Sequence, residues 1–104
     1  MKTILIDLDG VLNTYTGNYQ ADYISPIKEG AYDLLKKLSY EYDVKIFTTR
    51  NQDLTKEWLI NNDIYKYTSE ITNKKIPAWL IIDDRCITFS GDYEDLMNKI
   101  EKFR

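Results

Sequence analysis

Residues Thr3 to Leu8 read TILIDL, an apolar, β-branched block that carries one acid, Asp7, and is closed by Asp9-Gly10. Successive strand residues point to opposite faces, so a block that is apolar on both of them predicts a central strand covered on both sides and ended by a turn. Such a strand needs partners, and the chain offers them in alternation with helical segments. Val44 to Phe47 predicts a second strand, ending in Thr48-Thr49-Arg50, and Ile64 to Thr68 a weaker third. Trp79 to Ile82 predicts a fourth, entered from Pro77 and ending in Asp83-Asp84.

Between these lie the helix signals. Ser25-Pro26 is an N-cap followed by a first-turn proline, and Ile27, Ala31, Leu34, Leu35, Leu38 and Tyr42 recur at helical spacing. Asn51 caps a second helix running to about Asn61, with Leu54 and Trp58 on one face and Asn61-Asn62-Asp63 as its stop. After Gly91, the residues Tyr93, Leu96, Met97, Ile100 and Phe103 mark a closing helix. Asp92, Glu94 and Asp95 stand near its positive end, and Lys99, Lys102 and Arg104 near its negative end. The polar stretch Asn13 to Tyr23, with Gly17 and three tyrosines, predicts a loop long enough to have a task of its own.

Strands alternating with helices predict a mostly parallel α/β sheet, in which ligands gather at the carboxyl ends of the strands. At 104 residues the chain is sized for one domain, residues 1–104. Two places strain the pattern. Glu70 to Pro77 is short for a helical crossover, and Cys86 to Phe89 follows strand four too closely for a parallel return, so it is expected as an edge piece or hairpin arm.

Composition then narrows the chemistry. The formal net charge is -3 and no basic cluster follows a phosphate backbone, which argues against bulk nucleic-acid binding. The longest apolar run, Ala78 to Ile82, is too short to span a membrane, and an acid stands where a signal peptide needs its apolar core, so a cytoplasmic protein is expected. Cys86 is the only cysteine, and it is expected as a small buried hydrophobe. With no histidine in the chain, catalysis would run on carboxylates, lysine, hydroxyls or a hard metal ion.

The strongest strands end in Asp7 to Asp9, Thr48 and Asp83-Asp84, so these polar groups should converge on one edge of the sheet. Gly10 lets Asp9 leave the strand while Asp7 stays, and the two carboxylates can then differ in role. Close carboxylates repel, and a hard cation such as Mg²⁺ keeps them ionised together. With a phosphate ester bound, a metal-held carboxylate can attack phosphorus while a second carboxyl group handles protons.

These residues carry a family resemblance. DLDGVLN, the strand-end threonine in KIFTTR, a lysine in TNKKIPA and the acid pair in LIIDDR are similar to the four ordered motifs of the haloacid dehalogenase-like (HAD) phosphohydrolase superfamily. The run IIDDRCITFSGDYEDL also resembles small bacterial and phage members. The resemblance implies one Rossmann-like domain with helices on both faces of the sheet and no large cap. It implies Asp7 as nucleophile, Asp9 as general acid and then base, and Thr48 and Lys75 gripping the phosphoryl group of a phosphorylated substrate. Mg²⁺ would be held by the side chains of Asp7 and Asp83 and by the backbone carbonyl of Asp9. Asp84 would be a ligand through water or an orienting group.

Simpler readings stand beside these. Alone, Asp83-Asp84 reads equally as a turn and Thr48 as an ordinary strand residue. Lys74 and Lys75 are adjacent, and the spacing that the resembling group favours selects Lys75. Thr49, Arg50 and Arg85 are candidate substrate contacts, with a surface ion pair or a brace for Asp84 as the alternative for the arginines. Tyr15, Tyr19 and Tyr23 are expected to pack the loop onto the domain or to line an entrance, and Trp58 and Trp79 to lie in the core. Two other functions compete: a receiver-like module that accepts phosphate on aspartate, and a catalytically silent HAD-like binding protein. A receiver's acceptor aspartate ends its third strand, whereas the acids here end the first and fourth.

Overall fold

The apolar block at the N-terminus takes the central place that its composition demands. In the computed structural model, which describes residues 1–103, β1 (Lys2–Asp7) lies between β2 (Tyr42–Phe47) and β4 (Leu80–Ile82), and β3 (Glu70–Thr72) flanks β2. The sheet order is β3-β2-β1-β4 and every pairing is parallel. Register aligns Ile6 with Ile46 and with Ile82, and Asp7 with Phe47. All strands therefore run out at the same edge. The three helices are α1 (Ala31–Ser39), α2 (Gln52–Asn61) and α3 (Tyr93–Lys102).

Strand alternation puts Ile4, Ile6, Val44 and Ile46 on one face, where they form a single buried cluster with Ala31 and Leu35 of α1, Leu59 of α2, and Ile64. Burying each of the larger side chains is worth about 1.5–3 kcal/mol. Because α1 and α2 contribute to the same cluster and both meet the 3₁₀ turn at Tyr65–Tyr67, they cover the same face of the sheet. Leu5, on the other face, is also fully buried.

Several expectations change here. The helix expected from Pro26 begins at Ala31, behind Gly30 in the left-handed region at φ 89. Residues 26–28 are drawn instead into the base of the preceding loop: Asn13 bridges Ile27, Thr14 N donates to Pro26 O at 3.0 Å, and Lys28 N donates to Leu12 O at 2.9 Å. Backbone groups committed to that closure cannot also serve a first helical turn. The third strand is Glu70–Thr72, not Ile64 to Thr68, which forms the 3₁₀ turn and its flanks. Cys86 to Phe89 forms no strand.

Helices on both faces are not found in the expected form. No residue of α3 is buried, and the helix lies against the segment before it, with Lys99 Nζ donating to Thr88 O at 3.0 Å. Asp92 caps its start by accepting from Glu94 N, while Arg104 lies outside the described residues. Trp79 is not core: it is 49% exposed, stacked on Tyr42 with Lys2 Nζ 4.4 Å from its ring centroid. Trp58 does pack against the buried cluster. Among the described residues no helix is long and apolar enough to cross a membrane.

This distribution of burial makes a prediction. Ile46→Ala should cost about 2–5 kcal/mol in urea unfolding, because it opens a cavity in the cluster. Met97→Ala on α3 should stay within about 0.5 kcal/mol, as surface substitutions do. Equal costs would mean that α3 covers the sheet.

Candidate active site

β1 and β4 are neighbours that end side by side, so Asp7, the last residue of β1, meets Asp83-Asp84, which follow β4. Each of Asp7, Asp83 and Asp84 offers a carboxylate oxygen within 4.8 Å of the others. Among the described residues none of the three has an ion-pair partner. The consequence falls on Asp7, which is half-buried: desolvation first, then the charges of Asp83, Asp84 and Asp9, push its pKa up to about 7. Asp83 Oδ1 accepts from Arg85 N at 2.9 Å, a short turn that fixes the pair after the strand.

Gly10 is required at this edge for two reasons. Its φ of 84 lies in the left-handed region, and a Cβ there would collide with the Asp84 carboxylate. The turn after β1 thus lets Asp84 close over the backbone and join Asp7 and Asp83. Asp84 stands in the cluster as fully as Asp83, whereas the resemblance implied a more remote part for it. The Asp9 side chain stands outside that cluster of three.

Asp9 has its own partners. Oδ2 accepts from Arg50 Nε at 2.9 Å and Oδ1 accepts from Asn13 Nδ2 at 3.0 Å. Asn13 is buried, and its Oδ1 accepts from both Gly10 N at 3.0 Å and Tyr15 N at 3.1 Å, so one amide ties the acid to the turn and to the loop. Arg50 is buried as well. Its Nη1 donates to Gln20 O at 2.6 Å and Tyr23 O at 3.0 Å, and its Cζ lies 4.6 Å from the Tyr19 ring centroid. The guanidinium is thus engaged by Asp9 and the loop. It braces neither Asp84 nor the surface.

Thr48 is buried just beyond β2, with its N donating to Thr72 O at 3.0 Å and its Oγ1 accepting from Arg50 N at 3.2 Å. Thr49 and Arg85 are exposed. Lys74 and Lys75 are both exposed, and Lys74 N donates to Thr72 Oγ1 at 3.1 Å. The charge of Lys75 acts on Cys86 against those of Asp83, Asp7 and Asp84. Cys86 is exposed, not buried as expected, because no strand carries it back against the sheet. Desolvation and the charge of Asp83 push its thiol upward, away from a reactive thiolate.

Asn13 and the partners of Arg50 were not legible as site residues beforehand. The only signal for Asn13 was an amide placed directly after apolar Val11-Leu12, at the mouth of the loop. No known protein family, curated protein or solved structure matches the chain.

The donor set suits a small hard cation. Three carboxylates supply oxygen ligands only, and with their oxygens within 4.8 Å of one another they would draw together to hold one Mg²⁺ at about 2.1 Å. The electrostatics also make a prediction without any metal. The unfolded chain ionises Asp7 near the ordinary 3.8 and the folded chain near 7, so the folded state holds an extra proton between those values. Stability contributed at this site therefore falls as pH rises through that window. In the absence of divalent cations, Asp7→Asn should raise Tm over wild type at pH 8, with the gain shrinking as pH falls from about 7 and gone by about pH 4. A pH-independent difference in thermal melts would contradict the upward shift of Asp7.

Proposed function

We propose that the chain is a Mg²⁺-dependent phosphomonoester hydrolase working through an aspartyl-phosphate on Asp7. The observation that carries this reading is the meeting of Asp7, Asp83 and Asp84 at the carboxyl edge of adjacent parallel strands, beside an acid held separately by Asn13 and Arg50. The HAD-type domain and the roles that the motifs imply belong to the same proposal.

A cation held by Asp7, Asp83 and Asp84 would supply positive charge to the phosphoryl oxygens and keep Asp7 ionised. An oxygen of Asp7 attacks phosphorus, the ester bond to the leaving oxygen breaks, and that oxygen takes a proton from Asp9. Asp9 then accepts a proton from water as the water oxygen attacks phosphorus, which releases inorganic phosphate and restores the Asp7 carboxylate. Thr48, at the end of β2, and Lys75 would contact the phosphoryl oxygens, with Thr49 exposed beside Thr48. The strand-end acids on β1 and β4, with none of the site acids on β3, favour this reading over a receiver-like module.

The test is hydrolysis of an aryl phosphate with and without Mg²⁺. Wild type should turn over only with the metal, and Asp7→Asn should abolish turnover. An inactive wild type across a broad phosphate panel, or full rate in Asp7→Asn, removes the proposal. Lys75→Met should lose more activity than Lys74→Met, and the reverse order would reassign the lysine. Gly10→Ala, which displaces Asp84, should raise the Mg²⁺ concentration for half-maximal rate by about 10- to 100-fold, the range for groups that orient metal ligands.

A further inference from the structure

The loop Asn13 to Tyr23 is closed at its base by the Asn13–Ile27 bridge and the Thr14–Pro26 hydrogen bond. Its far part, Gln20 to Tyr23, has a second attachment, and that attachment is Arg50. The guanidinium reaches in two directions: Nε to Asp9 Oδ2 at 2.9 Å, and Nη1 to the carbonyls of Gln20 and Tyr23 at 2.6 and 3.0 Å. Tyr19 lies over its face. The arginine side chain is 1% exposed, whereas that of Asp9 is 21% exposed. Arg50 N is itself fixed by Thr48 Oγ1 at the end of β2. A rigid planar group anchored on the sheet therefore stands between a proton-carrying carboxylate and the loop backbone.

We propose that Arg50 is a positioning residue that couples the docked state of the Gln20–Tyr23 segment to the orientation of Asp9. When the loop is down, two carbonyls hold the guanidinium where Nε meets Asp9. When the loop lifts, those acceptors leave, the guanidinium loses its fixed orientation, and Asp9 loses its Oδ2 partner. Such coupling is reciprocal, so an alteration at Asp9 must also be felt in the loop. Arg50 thereby makes proton delivery contingent on loop closure, and it is not a phosphate contact. The catalytic half of this inference rests on the hydrolase reading, whereas the structural half does not.

Loop opening can be read without activity, from limited chymotrypsin cleavage after Tyr19 and Tyr23, which lie in or beside the clamped segment. Arg50→Gln should raise cleavage there by about 5- to 150-fold, the range of typical site-to-site coupling. Because Arg50 is buried, Asp9→Ala serves as the second variant, opening the same pair from its more exposed side. It too should raise cleavage at these tyrosines while cleavage after Tyr42 in β2 stays unchanged. Wild-type cleavage rates in Asp9→Ala overturn the coupling.

The catalytic half is read by comparing two phosphate esters. An alkyl phosphate needs its leaving oxygen protonated, whereas p-nitrophenyl phosphate has a leaving group that departs readily unprotonated. Arg50→Lys should lower kcat by about tenfold or more on the alkyl ester and much less on the aryl ester, with KM unchanged on both. Equal kcat losses on both esters, or a raised KM, would show a phosphate contact and overturn the assignment. A wild type inactive on both esters would remove the hydrolase reading, while the cleavage comparison would still decide the loop coupling.

Discussion

The parallel alignment of β1 with β2 and β4 is the constraint on which the rest depends. Parallel strands in register end together, so Asp7, Thr48 and the Asp83-Asp84 pair are delivered to one edge from segments far apart in the chain. Ile4, Ile6, Val44 and Ile46 hold that register, since a slip by one residue would turn each of them to the other face and break the cluster with α1 and α2. The apolar packing and the placement of the acids are one arrangement, because the strands that supply the core also carry the carboxylates.

Charge at that edge is divided into two groups. Asp7, Asp83 and Asp84 face one another without a cationic partner among the described residues, and burial of Asp7, reinforced by these charges, pushes its pKa up. Asp9 is two residues from Asp7 yet is held apart by Arg50 and Asn13. Gly10 permits this division, since its left-handed φ takes Asp9 off the strand and its missing Cβ admits Asp84. Two carboxylates only two residues apart thus stand in different surroundings, one crowded by acids and one paired with a cation.

Much of the fold was legible because periodicity and caps are local. The apolar block of β1, the Asn51 cap of α2 and the amphipathic α3 are all where the pattern put them. Legibility failed where distant segments competed for the same backbone. Ser25-Pro26 is a sound helix start in isolation, but Asn13 and Leu12 recruit residues 26–28 and delay α1 to Ala31. Trp79 and Cys86 read as interior residues by type, yet β4 is an edge strand and the segment after it never pairs, so both are exposed. At the candidate site, the strand-end acids were visible because their spacing marks strand ends. The partners of Arg50 were not, since two of them are backbone carbonyls that no side-chain pattern encodes.

By itself the sequence determined an α/β chain with acids at the ends of its first and fourth strands, because apolar alternation and turn residues act over a few positions. Only the tertiary structure decided which of those acids crowd together and which is paired. Asp84 joins Asp7 and Asp83 through close approach to Gly10, and Asp9 is bound to Arg50 across an interval of 41 positions. Distances of a few ångströms between remote residues follow from how the strands align and the loop folds back, and such distances set charge and hydrogen bonding at the site.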